Sequence, residues 1–72
     1  MIEAYKTNRS LREAFFRMNR IRHAEIWDTE NGYQVALCSD FSVGFRESSE
    51  FATPGQCIGW CKKYCPELEI IE

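Results

Sequence analysis

Asn31-Gly32 stands between two runs of strand-forming residues, Ala24-Glu25-Ile26-Trp27-Asp28 and Tyr33-Gln34-Val35-Ala36-Leu37-Cys38. Both turn residues tolerate positive φ, which a tight β-hairpin demands, so the pair predicts two adjacent antiparallel strands. As a two-residue turn it sets Ile26 opposite Leu37 and Asp28 opposite Val35. Ile26, Tyr33, Val35 and Leu37 then share one face, with Trp27 and Ala36 on the other. Phe41, Val43 and Phe45 alternate with Ser42, Gly44 and Arg46, the period of a third antiparallel strand.

Such a meander needs cover on one face, and two helix signatures flank it. Ser10 and Glu13 form a capping box that opens a first helix from Leu11 to Arg20 or Arg22. Leu11, Ala14, Phe15, Met18 and Ile21 fall within an arc of about 120° on that helix and are its expected core face. Phe16 lies on the opposite side, between Arg12 and Arg20. The second helix opens at Thr53-Pro54-Gly55-Gln56, with Thr53 as N-cap and Pro54 in the first turn, and ends at Cys65 because Pro66 follows. The tail Leu68-Glu69-Ile70-Ile71 is β-prone and reads as an edge strand. Residues 1–6 read as a short strand or a docking arm.

The order is (β)αβββα(β), an α+β fold made of a three-stranded antiparallel meander and two helices, with residues 1–72 expected to form one domain. Double-stranded-RNA-binding domains share the αβββα order in topology alone. Their second helix opens on lysines, whereas Thr53 to Trp60 carries no base.

The chain has 72 residues, 44% of them apolar and ten of them aromatic, enough for a core but a marginal one. A domain of this size is often stapled by a metal, a disulfide or a second subunit. The first six residues lack a signal-peptide pattern and no apolar run is long enough to span a membrane, so the expected location is cytoplasmic. Cysteines are there thiols or metal ligands. Cys57, Cys61 and Cys65 recur every four residues along the second helix, and Cys38 or His23 would be needed to complete a zinc tetrahedron around them. The same three cysteines fall in one arc with Ile58, Trp60 and Tyr64, opposite Gln56, Gly59, Lys62 and Lys63. The expectation is therefore a buried stripe and no metal, with a zinc-stapled domain as the alternative.

Catalytic patterns are absent. There is no phosphate-binding glycine loop, no metalloenzyme signature and no motif pairing of carboxylates, and His23 is the single histidine. The expectation is a protein that is not an enzyme and needs no cofactor. His23 reads as the residue that begins a strand after the first helix. Asp28, Glu30, Asp40, Glu47, Glu50, Glu67, Glu69 and Glu72 read mostly as solvated loop charges.

Charge is unevenly placed. Residues 1–23 hold six bases against two acids, a local +4, while the other 49 hold three bases against nine acids, a local −6. Either a partner meets this basic surface or the two halves attract each other in the fold. Arg9, Arg12, Phe16, Arg17, Asn19 and Arg20 form the candidate binding surface, because arginine and aromatic side chains are enriched at binding hot spots. The competing reading covers Phe16 with residues 1–6 or with the tail. The function that follows is a small protein-interaction or regulatory module, with a protein partner or a second copy bound on the basic face of the first helix. The alternative is nucleic-acid binding through Lys6, Arg9, Arg12, Arg17, Arg20 and Arg22, which the overall charge of −2 opposes.

Overall fold

The computed structural model describes residues 5–71, so the strand or arm expected over residues 1–6 lies mostly outside the described residues. The elements run α1 (Arg9–Met18), β1 (His23–Asp28), β2 (Tyr33–Asp40), β3 (Val43–Arg46), α2 (Pro54–Tyr64) and β4 (Glu69–Ile71). The four strands form one sheet in the order β3-β2-β1-β4. Both the meander and the tail strand are present. β4 lies beside β1 in parallel, so the sheet is mixed rather than purely antiparallel.

The hairpin register differs from expectation. Ile26 pairs with Val35 and Asp28 with Tyr33, so the connection is the four-residue Thr29–Gly32 rather than Asn31-Gly32 alone. A Cβ at Gly32 would run into the Phe51 carbonyl oxygen, which explains glycine there. The shift is two residues, an even number, and therefore each side chain keeps its expected face. Ala24, Ile26, Tyr33, Val35 and Leu37 point to the helices, and His23, Glu25, Trp27, Ala36 and Cys38 point away.

Helix α2 follows its signals. The Thr53 hydroxyl accepts from the Gln56 amide at 3.3 Å and Gln56 Oε1 accepts from the Thr53 amide at 3.1 Å, closing the capping box. Cys57, Cys61 and Cys65 are fully buried and join Ala24, Val35 and Leu37 in the core. Helix α1 begins two residues earlier than expected. Asn8, not Ser10, is its N-cap, accepting from the Leu11 amide at 3.1 Å, and Glu13 pairs with Arg9 instead of closing a box.

The larger correction concerns which face of α1 is inside. Phe16 is 8% exposed and belongs to the core, while Leu11 and Met18 are exposed. On the helical wheel the buried pair Arg12 and Phe16 is centred about 140° from the apolar stripe. The cause is polar: Arg12, 7% exposed, sits one turn before Phe16 and is held inside by Glu67 and by two backbone carbonyls. Among the described residues no helix is long and apolar enough to cross a membrane.

Candidate functional site

The six residues singled out on the first helix divide. Arg9, Arg17, Asn19 and Arg20 are exposed. Arg12 and Phe16 are not, so the aromatic centre of the expected surface is missing. Arg12 donates through Nε and Nη2 to both oxygens of Glu67, at 2.8 and 2.6 Å, and through Nη1 to the carbonyls of Tyr5 and Lys6. Its hydrogen bond to Glu67 raises the pKa of the guanidinium, and the same bond holds the carboxyl below the usual range. Glu67 is thus no free loop charge. The basic and acidic parts of the chain meet here, which accounts for part of their charge asymmetry.

What α1 shows to solvent is apolar as well as basic. Met18 is 83% exposed and Leu11 about half exposed, one turn on either side of Phe15. The Phe15 ring stacks on Tyr5 at 4.4 Å and meets the edge of Phe45 from β3 at 6.3 Å. Val43 shares the Phe45 side of β3 and is more exposed than Phe45. Leu11, Phe15, Met18, Phe45 and Val43 therefore follow one another from helix to sheet edge. Arg17, Arg20 and Arg22 border the Met18 end, and none of them pairs with an acid among the described residues.

The outer face of the sheet, which no helix among the described residues covers, carries a buried polar cluster. His23 and Cys38 are directly paired across β1 and β2, and Glu25 lies two residues from His23 on the same face. His23 Nε2 and Glu25 Oε2 are 2.7 Å apart. Trp27 Nε1 donates to Glu25 Oε1 at 2.7 Å and the Ser42 amide donates to Oε2 at 2.8 Å. Ser42 reaches Glu25 because an extra residue at Ser39 bends the β2–β3 hairpin, whose tip holds Ser42 at a φ of 58°. Burial alone would push the Glu25 carboxyl up. The Ser42, Trp27 and His23 donors outweigh it and hold the pKa at about 2. Burial, with the neighbouring Glu25 charge, pushes the Cys38 thiol up to about 11.

Beside this cluster an open groove of about 520 Å³ runs between Trp27, Asp28, Phe41, Arg46 and Ile71, with Glu25 and Ser42 also lining it. The Arg46 guanidinium lies 5.1 Å from the Trp27 ring centre, within cation–π range. Phe41, expected in a strand, stands at the hairpin tip and is 70% exposed.

The zinc sets considered from sequence do not assemble. Cys57, Cys61 and Cys65 face the core from α2, while Cys38 and His23 lie on the other side of the sheet. The Cys65 thiol is pushed up by its hydrogen bond to Cys61 and by burial, the behaviour of packed thiols. Glu25 carries no motif of its own in the sequence, since a lone glutamate on a strand is ordinarily solvated. The signal that finds it is face parity, which puts Glu25 beside His23 and Cys38 in either hairpin register. The chain matches no protein-family model, no curated protein and no solved structure.

Proposed function

We propose that the chain is a small, non-enzymatic protein-interaction module, and that it acts through the apolar strip from Leu11 and Met18 to Phe45 and Val43. One observation carries this reading: α1 is turned so that Arg12 is buried while Leu11 and Met18, two of the five residues of its apolar stripe, are exposed. Burying that stripe instead would gain roughly 25 cal/mol per Å² of apolar surface. A partner on the strip recovers that gain without displacing Arg12. The non-enzymatic part is supported by Cys38, whose thiol is pushed away from the thiolate that a nucleophile needs.

The partner such a strip fits is a protein with a free strand edge inside an apolar surround, and a second copy of this chain fits that description, since among the described residues β3 is an edge strand. Tyr33 exchanges backbone hydrogen bonds with Phe51, and Val35 accepts from the Glu47 amide. Odd-numbered residues of β2 thus turn their backbone groups toward β3. Leu37 meets Phe45 in the same series, which leaves the backbone of Gly44 and Arg46 facing outward. Two β3 strands pairing antiparallel about Gly44 set Val43 opposite Phe45 of the second copy, on the same side as both helices. No like charges stand opposite one another in that register. Natural edge strands are commonly blocked by lysine or proline, and β3 has neither.

Mixing isotope-labelled and unlabelled chains tests this arrangement. Intermolecular NOEs between Val43 methyls and the Phe45 ring are expected. A sample that gives none, at concentrations suited to NMR, refutes the self-pairing.

A second reading rests on Arg17, Arg20 and Arg22, whose exposure without acidic partners among the described residues suits nucleic-acid phosphates. It expects oligonucleotides to shift the amides of residues 17–22, with affinity that falls steeply as salt rises. Unchanged amides at low salt would remove it.

A further inference from the structure

We propose that His23, Glu25 and Cys38 form a binding site for one borderline divalent transition ion, zinc by chemical class, on the outer face of the sheet. This is independent of the helix-one surface, which lies on the other side. His23, Glu25 and Cys38 are all buried, and one ligand atom from each lies within 4.8 Å of the others.

Rigid backbone sets this geometry. His23 and Cys38 are a directly opposed pair in the β1–β2 ladder, and Glu25 is the next residue along β1 on that face. No loop has to close to bring them together. Zinc bonds of about 2.0 to 2.3 Å in a tetrahedron place ligand atoms roughly 3.2 to 3.7 Å apart. His23 and Glu25, now 2.7 Å apart, need to part by roughly 0.5 Å to meet that spacing.

Donor chemistry selects the ion. A thiolate, an imidazole and a carboxylate suit zinc, cobalt or iron(II), whereas magnesium and calcium prefer all-oxygen shells. The surroundings also resemble those of a metal ligand. Trp27 Nε1 fixes Glu25 Oε1 and so presents Oε2, the oxygen nearest His23, as the ligand. Outer-shell donors of this kind hold metal-binding carboxylates in place. Binding transfers the Cys38 thiol proton to solvent and leaves the sulfur bonded to the ion, and the neutral His23 ring carries its proton on Nδ1 when Nε2 is the ligand. Glu25 also lines the groove between Trp27 and Phe41, which gives the ion a path in and leaves a fourth position open to water or to a donor from a bound molecule.

Cobalt(II) added to the reduced full chain tests the site. A thiolate-to-cobalt charge-transfer band is expected, and zinc should displace it. Cys38→Ser is expected to abolish the band, while Cys61→Ala, in the core, leaves it. Trp27→Phe is expected to weaken zinc binding by about tenfold. Absence of the band in the native chain, or a band that survives Cys38→Ser, overturns the proposal. Should Cys38→Ser not fold, the His23 ring resonances of the native chain decide. They must shift on adding zinc, and unmoved resonances overturn the site.

Discussion

Arg12 and Glu67, fifty-five residues apart, are joined by two parallel hydrogen bonds of 2.8 and 2.6 Å, with the guanidinium buried and the carboxylate at the surface. The bond ties α1 to the turn before β4, and the Tyr5 and Lys6 carbonyls on Nη1 add the N-terminal segment to the same clasp. This contact orients α1. Its consequence is the apolar strip left outside.

The two ends of that bond should not be equivalent. Glu67→Ala strands a buried guanidinium and is expected to cost about 2 kcal/mol, less than a fully buried pair because Glu67 is partly solvated. Arg12→Met keeps the volume and removes the charge, and is expected to stay within about 1 kcal/mol of the native chain. Urea unfolding of both variants checks the contrast. Equal losses would contradict it.

Neighbouring positions on α1 should also separate. Phe16→Ala opens a cavity in the core and is expected to cost about 3 to 5 kcal/mol, whereas Met18→Ala should change monomer stability by less than about 0.5 kcal/mol. Thermal unfolding of dilute protein measures both. A large loss at Met18 would return α1 to the orientation expected from its periodicity.

Elements whose signals are local were legible in the sequence. Thr53, Pro54, Gln56 and Pro66 act within a few residues of one another, and the apolar arc of α2 has no polar competitor, so its ends and its face both follow. The hairpin faces were legible although its register was not, since a two-residue slip preserves parity. The orientation of α1 was not legible, because periodicity ranks helix positions by hydropathy and Arg12 is drawn inward by a carboxylate fifty-five residues away. Glu25 was hidden for a related reason. Its donors are an indole two residues on and the amide of Ser42 in a bent hairpin, and neither is a motif.

Acid should unfold the protein through two carboxylates. Glu25, lowered from 4.5 to about 2, and Glu67, also lowered, both bind protons more readily in the unfolded chain. Their stabilisation is complete above pH 4.5 and is lost as pH falls from there toward 2. Glu25→Gln should therefore flatten the stability profile across that window. A variant profile parallel to the native one would show that Glu25 titrates alike in both states.

The four cysteines should resist alkylation until the chain unfolds. Cys38 and Cys57 are pushed up by burial, and Cys65 is pushed up by its bond to Cys61 and then by burial. The same bond lowers the Cys61 thiol, which is shielded instead by its burial at 1% exposure. Timed labelling followed by mass measurement is expected to track global unfolding in urea, and a rapid burst in native buffer would contradict the packing of these thiols.

Sedimentation equilibrium of the native chain and of Met18→Glu over a wide range of concentration tests the exposed strip most directly. The native chain is expected to pass from monomer to dimer as concentration rises, and Met18→Glu to stay monomeric with an unchanged far-UV spectrum. A native chain that remains a folded monomer throughout would contradict the self-pairing of this surface.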